Sequence, residues 1–270
     1  MLFRTPQHFP PLRGRNCDIC PIKFMRRMRQ QAFEFRTWGG RRARAGRRPK
    51  GERAGVSHLR RPTLSSDHPV HITLRVQAGL PSLRVGQLFA RVQRALAGGQ
   101  NRFGFRLAHF SVQSNHLHLI AEAADRRSLA RGVQGLNIRV ARAINGQLGR
   151  KGRVFADRYH ARALQTPRAV HFALRYVLLN ARKHQRSTRS PREASESELP
   201  TGFVDSCSSA PWFNGFRRPL ALAFGAARAR ARWRAGSTLE APVVPAETWL
   251  LRYGSRRSTF DVDDAPKGGG

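Results

Sequence analysis

The chain has 270 residues, of which 50 are Lys or Arg and 16 are Asp or Glu, so its formal net charge is +34. Such an excess opposes compaction unless an anionic partner neutralises it, and nucleic-acid phosphate is the commonest such partner, although codon bias in a GC-rich genome would also raise the Arg content. Three cysteines exclude a disulfide-rich scaffold, and the absence of any apolar run near the roughly 18 residues of a membrane span excludes a membrane-spanning protein.

The N-terminal region is basic and poor in apolar residues. Residues 1–61 hold 17 Lys or Arg and three acids, and we expect residues 1–62 to form a flexible basic arm. Cys17 and Cys20 make a lone C-x-x-C that Cys207 alone cannot complete as a zinc site, so we interpret them as ordinary cysteines of a reducing compartment. With no apolar leader segment, the sequence favours the cytoplasm.

Ordered elements are predicted after the arm. Apolar and polar residues alternate over residues 70–76, which is the period of a half-buried strand. Pro81 opens a helical apolar pattern that ends at Gly98 and Gly99. Residues 105–113 and 116–122 then predict two further strands joined by a short turn.

Two more helices and one strand complete the pattern. Ser128 is the predicted N-cap of a helix whose apolar stripe reaches Ile144. A fourth strand is predicted within residues 153–164. Thr166 followed by Pro167 predicts the start of a last helix, which we expect to run to about Arg182.

The order of these elements predicts the fold class. Strand, helix, strand, strand, helix, strand is the split βαβ order of the ferredoxin-like fold. We therefore predict an α+β, ferredoxin-like palm with an antiparallel sheet, two helices on one face, an added C-terminal helix that carries Tyr176, and basic tails. The predicted boundaries are residues 63–185 for this domain, 186–200 for a polar linker, and 201–270 for a partly disordered tail rich in Arg and Trp.

The most informative local motif is the pair His116 and His118 on the third predicted strand. Residues i and i+2 of a strand point to the same face, so the two imidazoles project side by side while Leu117 and Leu119 face the core. Two adjacent imidazoles are half of a divalent metal site. The alternative is a histidine pair that only lies on a solvated sheet face.

Tyr176 and Asn180 lie one turn apart on the last predicted helix and flank its apolar stripe. If that helix docks across the open sheet face, Tyr176 can approach the histidine pair. Asn180 can then offer its side-chain oxygen as a third ligand. The alternative is a tyrosine that packs its ring in an amphipathic helix.

Four segments resemble the single-tyrosine HUH transposases. They are VHITL at residues 70–74, NHLHLI at 115–120, RYHARAL at 158–164 and RYVLLNARKH at 175–184. The resemblance is closest to the branch associated with repetitive extragenic palindromes (REP), and it covers roughly residues 60–185. The segment SSAPWFNGF at 208–216 also resembles the region that follows the domain in that branch.

The resemblance implies a catalytic role for each motif. His116 and His118 would bind Mg²⁺ or Mn²⁺, with Asn180 completing the protein ligands; many relatives among the insertion sequences carry Gln at the position of Asn180. Tyr176 would attack a phosphodiester of single-stranded DNA and form a 5′-phosphotyrosine link. A phenol with a pKa near 10 needs such activation by a cation, because it is a poor nucleophile at pH 7.

The expected partner is single-stranded or hairpin DNA, with no membrane association. Basic residues near the site would hold the DNA backbone. His160 is either one of these contacts or a surface histidine. We expect a monomer or a homodimer at the bacterial nucleoid. The predicted DNA-contacting residues are Arg158, His160, Arg162, Arg175, Arg182 and Lys183.

Two other functions remain open. The first is a non-catalytic nucleic-acid-binding module on a sheet like that of RNA-recognition folds. Such folds use exposed aromatic side chains, whereas the corresponding positions here are His109, Ser111 and Gln113 on the second strand and the histidine pair on the third. The second is a catalytically inactive, domesticated descendant of a transposase.

Overall fold

The structure, a computed structural model, describes residues 62–181, 201–218, 225–254 and 260–264. Several predictions fall on other residues and lie outside the described part of the chain. They concern nearly all of the basic arm, Cys17, Cys20, Arg182, Lys183 and the linker.

Five antiparallel strands form one sheet. They are β1 (Val70–Arg75), β2 (Asn101–Arg102), β3 (Phe105–Val112), β4 (His116–Ala123) and β5 (His160–Ala163). Their order across the sheet is β2-β3-β4-β1-β5, which places β4 and β1 at its centre. The described helices are α1 (Gly86–Ala97), α2 (Arg126–Gln147), α3 (Pro167–Leu178), α4 (Ala226–Arg234) and α5 (Trp249–Arg252).

This arrangement confirms the predicted α+β fold with its antiparallel, ferredoxin-like sheet. Strand β2 was not predicted, because two exposed residues carry no periodic pattern. The fourth predicted strand is shorter than expected: only His160–Ala163 pairs with β1 as β5. Upstream of it, Phe155 makes an isolated bridge to Val76, so the chain bends before it enters the sheet.

The helix boundaries differ from the predictions at three points. Helix α1 begins at Gly86, because the preceding loop is held in the core by Leu83, which is fully buried. The N-cap of α2 is Asp125, and Ser128 instead donates its backbone N–H to the Asp125 carboxylate at 2.6 Å. Helix α3 starts as predicted at Thr166 and Pro167 but ends at Leu178.

The two sheet faces carry separate apolar clusters. Helices α1 and α2 cover one face, where Ile72 and Leu119 are fully buried. Helix α3 packs on the opposite face through Val170, Leu174 and Val177, against Ile120 of β4. The histidine pair of β4 lies on this second face, beneath α3.

The described C-terminal segments close the outer edge of β3. Backbone N–H groups of Ser209 and Val244 donate to carbonyl oxygens of β3, and the N–H of Val112 donates to Cys207. Two carboxylates fasten these segments to the domain. Asp205 accepts two hydrogen bonds from Arg84, at 2.8 and 3.0 Å. Buried Glu122 accepts backbone N–H groups of residues 247 and 248 together with the Thr248 hydroxyl.

In the described parts of the chain, none of the helices combines the length and the apolar character needed to cross a bilayer.

Candidate active site

Strand β4 presents His116 and His118 on the face that α3 covers. Their ring centroids are 4.7 Å apart, as expected for alternate residues of a strand. Neighbouring β1 is antiparallel, and its register places Arg75 opposite His116 and Thr73 opposite His118. The polar positions of both central strands therefore form one continuous surface.

His118 is buried and contacts other polar groups through both ring nitrogens. Its Nδ1 lies 3.2 Å from Oγ1 of Thr73 and 3.3 Å from Nε2 of His71, a second polar residue of β1. Its Nε2 lies 3.3 Å from the hydroxyl oxygen of Tyr176. The imidazole of His118 is thus held between β1 on one side and α3 on the other.

His116 lies at the start of β4 and is partly exposed. Its Nδ1 lies 2.7 Å from Oδ1 of Asn115, the residue before it. An amide oxygen only accepts hydrogen bonds, so Nδ1 of His116 is the donor. This contact sets both the proton position and the orientation of the ring.

Tyr176 reaches His118 because of how α3 begins and packs. The Thr166 hydroxyl caps the helix by accepting the N–H of Ala169, and Pro167 occupies the first turn. The apolar stripe of the helix then directs Tyr176 towards the sheet, where its ring meets the His118 ring edge-on at 4.9 Å. Burial raises the pKa of the Tyr176 phenol above its ordinary value.

Asn180 lies just beyond the end of α3. The helix is interrupted at Leu179, so Tyr176 and Asn180 do not share one continuous helical face. The Asn180 side chain is fully buried, and neither its oxygen nor its nitrogen has a hydrogen-bond partner among the described residues. The structure therefore joins Tyr176 to the histidine pair and places Asn180 near that end of the helix without a hydrogen bond to the pair.

Within the described residues, no three His, Cys, Asp or Glu side chains form a group suited to a metal ion. The predicted ligand set is not of that type, because its third ligand is the side-chain amide of Asn180. A buried amide without a partner is costly, and a bound cation would satisfy its oxygen. The side chains present therefore fit a divalent ion of the type that imidazole and amide ligands hold.

The predicted DNA-contacting residues that the structure describes lie on or just before β5 and on α3. His160 and Arg162 are exposed on β5, opposite Thr73 and His71 of β1, so they lie on the site face. Arg158 is half-buried just before β5. Arg175 lies on α3, and one of its partners is the Asp264 carboxylate at 3.8 Å, so part of its charge is already compensated within the protein.

The site residues predicted from the sequence did not include His71, Thr73 or Asn115. His71 and Thr73 lie on β1, and Asn115 lies in the turn before β4. The alternation over residues 70–76 already places His71 and Thr73 on a polar face, but only the pairing of β1 with β4 brings them to His118. Burial, with His160 and Arg162 nearby, lowers the pKa of His71 to about 4, so its ring is neutral at pH 7.

Arg75 was also missed. It is exposed at the end of β1, directly opposite His116. Alternation places it on the same face as His71 and Thr73, and an exposed guanidinium beside the histidine pair suits a phosphate group.

The positions expected to be exposed on β3 are covered. Ser111 and Gln113 are buried, and the partly buried His109 ring lies against Phe213 of the C-terminal part, edge-on at 5.4 Å. This correction to the sequence-based expectation arises because the chain after residue 203 packs over the end of β3. An open sheet surface for base stacking is therefore absent from this part of the described structure.

Comparison with known proteins identifies the domain. Residues 65–178 match the family model described as "Transposase IS200 like", and this segment contains the histidine pair and Tyr176. Over these residues the chain matches the IS200-like transposase family, in agreement with the resemblance to the single-tyrosine transposases. The match supports a transposase role for the domain, and transposases are enzymes that act on DNA.

Solved structures show weaker likenesses. One is a REP-associated tyrosine transposase bound to a REP hairpin, with 15% identity, a TM-score of 0.40, and coverage of 48% of this chain and 74% of that chain. Another is a protein described as a transposase from Deinococcus radiodurans R1, with 15% identity, a TM-score of 0.31, and coverage of 39% and 82%. No curated protein matches the chain significantly in sequence.

Proposed function

We propose that this protein cuts and rejoins single-stranded DNA with Tyr176 as the nucleophile. The observation that supports this most directly is the 3.3 Å distance between the Tyr176 hydroxyl oxygen and Nε2 of His118. Packing of the Tyr176 ring alone does not require its hydroxyl group to face one imidazole of a histidine pair on a central strand. The family of residues 65–178 supports the same assignment.

The proposed step is a phosphoryl transfer without a nucleotide cofactor. The Tyr176 oxygen forms a bond to a backbone phosphorus, the bond from that phosphorus to the 3′-oxygen breaks, and the released 3′-oxygen takes up a proton. The phenol proton leaves as the new bond forms. The resulting 5′-phosphotyrosine keeps the energy of the broken ester, so a 3′-hydroxyl can later reverse the step and join strands.

We propose that His116, His118 and Asn180 hold Mg²⁺ or Mn²⁺. Such an ion would act as a Lewis acid towards the phosphoryl oxygens. The rest of the site contributes binding and orientation. Arg75, His160 and Arg162 supply positive charge on the site face, and Thr73 and His71 hold the His118 ring.

The proposed substrate is a hairpin flanked by single-stranded DNA, as at repetitive extragenic palindromes. A DNA substrate agrees with the net charge of +34. We place the protein in the bacterial cytoplasm, at the nucleoid.

The test uses full-length protein and end-labelled single-stranded oligonucleotides that contain a palindromic hairpin. With Mg²⁺ or Mn²⁺, we expect a protein–DNA adduct that survives denaturation. When EDTA is present from the start of the reaction, the adduct should not form. Tyr176→Phe should abolish the adduct while DNA binding is retained. His116→Ala and His118→Ala should abolish it or raise the metal concentration that it requires.

Tyr159 provides the matched control. It lies just before β5, is buried, and belongs to the cluster on the α1 and α2 side of the sheet. Tyr159→Phe should therefore still form the adduct. A Tyr176→Phe protein that forms as much adduct as the Tyr159→Phe protein would rule out Tyr176 as the nucleophile.

A further inference from the structure

His71 is a partly buried titratable group in contact with one of the proposed metal ligands, and the proposed reaction assigns it no chemical step. It lies on β1, two residues before Thr73, and the His71 and His118 ring centroids are 5.3 Å apart. Its Nε2 faces Nδ1 of His118 at 3.3 Å. Its ring also meets the Tyr176 ring edge-on at 5.9 Å. His71 therefore contacts both the proposed ligand and the proposed nucleophile.

Two facing ring nitrogens require one donor and one acceptor. A neutral imidazole carries its proton on either Nδ1 or Nε2, and the other nitrogen holds the lone pair. If His118 donates from Nδ1, its Nε2 has the lone pair that faces Tyr176. If His71 donates instead, the proton of His118 must lie on Nε2, and that nitrogen can no longer bind a cation.

We propose that His71 is a positioning residue, whose Nε2 accepts the Nδ1–H of His118 and so keeps the lone pair of His118 Nε2 directed at Tyr176 and the proposed metal site. The relevance of His71 to catalysis rests on the proposed function. The position of the proton on His118 does not depend on it.

Two observations favour this direction of the hydrogen bond. Thr73 Oγ1, at 3.2 Å, is a second possible acceptor for the same Nδ1–H. His116 independently shows the same arrangement, since its Nδ1 can only donate to Oδ1 of Asn115. Both imidazoles of the pair would then present Nε2, and metal-binding histidines generally donate their other ring N–H to a neighbouring acceptor.

Thr73 alone does not determine the proton position. A hydroxyl group can donate or accept, so it tolerates either form of His118. A neutral His71 that accepts at Nε2 is compatible only with the form of His118 that is protonated on Nδ1.

The test measures the proton position directly in full-length protein labelled with ¹⁵N-histidine. Long-range ¹H–¹⁵N correlation spectra distinguish protonated Nδ1 from protonated Nε2, and His118→Gln assigns the His118 signals. In the wild type without metal we expect His118 protonated on Nδ1. In His71→Leu we expect a mixture of both forms or the Nε2-protonated form.

Affinity for Mn²⁺, followed by electron paramagnetic resonance, is the second measurement. We expect His71→Leu to raise the Kd roughly 10-fold or more, which is the usual effect of losing an outer-shell partner. His71→Gln, which keeps an acceptor near the position of Nε2, should restore part of the affinity and the Nδ1-protonated form. His68→Leu is the matched control, because it removes a histidine that lies before β1. Its Kd for Mn²⁺ and its His118 proton position should equal those of the wild type.

The outcomes separate this inference from the proposed function. An unchanged His118 proton position in folded His71→Leu, with a Kd within about twofold of the wild type, overturns the inference. A wild type without saturable Mn²⁺ binding, but with a proton position that depends on His71, supports the inference and overturns the proposed metal site. If His71→Leu does not fold, His71→Phe keeps the ring volume and gives the same test.

Discussion

Tyr176 and His118 are 58 positions apart in the sequence, and the phenolic oxygen of one lies 3.3 Å from Nε2 of the other. Strand β4 supplies the imidazole from the centre of the sheet, and α3 supplies the phenol from above it. The two side chains meet because α3 uses the sheet face opposite to that covered by α1 and α2. The site thus depends on packing on both faces of a single sheet.

Asn180→Leu should make the protein more stable and less able to bind metal. Neither polar atom of the buried Asn180 amide has a hydrogen-bond partner within the described residues, which costs roughly 1–3 kcal/mol. Leu has a similar shape and removes this cost, so the melting temperature without metal should rise by a few degrees. Added Mn²⁺ should then stabilise the variant less than the wild type. Equal stabilisation of both proteins by Mn²⁺ would exclude Asn180 as a ligand.

Two glycines of α2 should respond in opposite directions to substitution by Ala. A Cβ at Gly132 would overlap the fully buried Phe105 ring, so Gly132→Ala should destabilise the fold by about 1–3 kcal/mol. Nothing lies within 4 Å of a Cβ at Gly135. Gly135→Ala should therefore stabilise the protein by about 0.5–1 kcal/mol through helix propensity. Urea unfolding of both variants checks the contrast, and a loss of stability in both would contradict the packing described for Gly135.

Asp205→Ala should loosen the C-terminal part from the domain. Asp205 is 3% exposed, accepts two hydrogen bonds from Arg84, and also accepts the N–H of Cys207. Loss of these bonds should lower the free energy of unfolding by about 2–4 kcal/mol. Arg218→Ala is the control: its side chain is 61% exposed, so its pairs with carboxylates should contribute less than about 1 kcal/mol. Equal losses in thermal melting would argue against a special role for the Arg84 pair.

Arg75→Ala should weaken binding of single-stranded DNA. Arg75 is exposed opposite His116, so we expect it to contact a phosphate beside the proposed site. Losing one such contact should reduce the slope of log K against log salt by roughly 0.7. Arg142→Ala removes the same charge from α2, on the other side of the sheet, and should leave the slope nearly unchanged. If both variants lost affinity equally, net charge rather than site geometry would explain DNA binding.

Local patterns in the sequence were sufficient to predict most of the domain. The alternation over β1 and β4 predicts both strands and the shared face of His116 and His118. The Thr166–Pro167 pair predicts where α3 begins. These features depend on backbone geometry and on side chains that are close in sequence, so a single sequence contains them.

Contacts between distant residues could not be predicted in the same way. The approach of His71 to His118 depends on the register of β1 against β4, which no local pattern specifies. The aromatic group formed by Phe213, Phe216 and Phe260 packs on the α3 side, although these residues lie in segments without periodicity. The interruption at Leu179 was missed because the helical pattern continues through it.

The closed outer edge of β3 determines what a truncated chain would expose. Ser209, Cys207 and Val244 occupy hydrogen-bonding positions that a strand at the border of a sheet would otherwise leave open. A nonsense codon between α3 and residue 203 would expose that border, which would then be available to pair with another copy of the same chain. We therefore expect such a truncated chain to self-associate through β3.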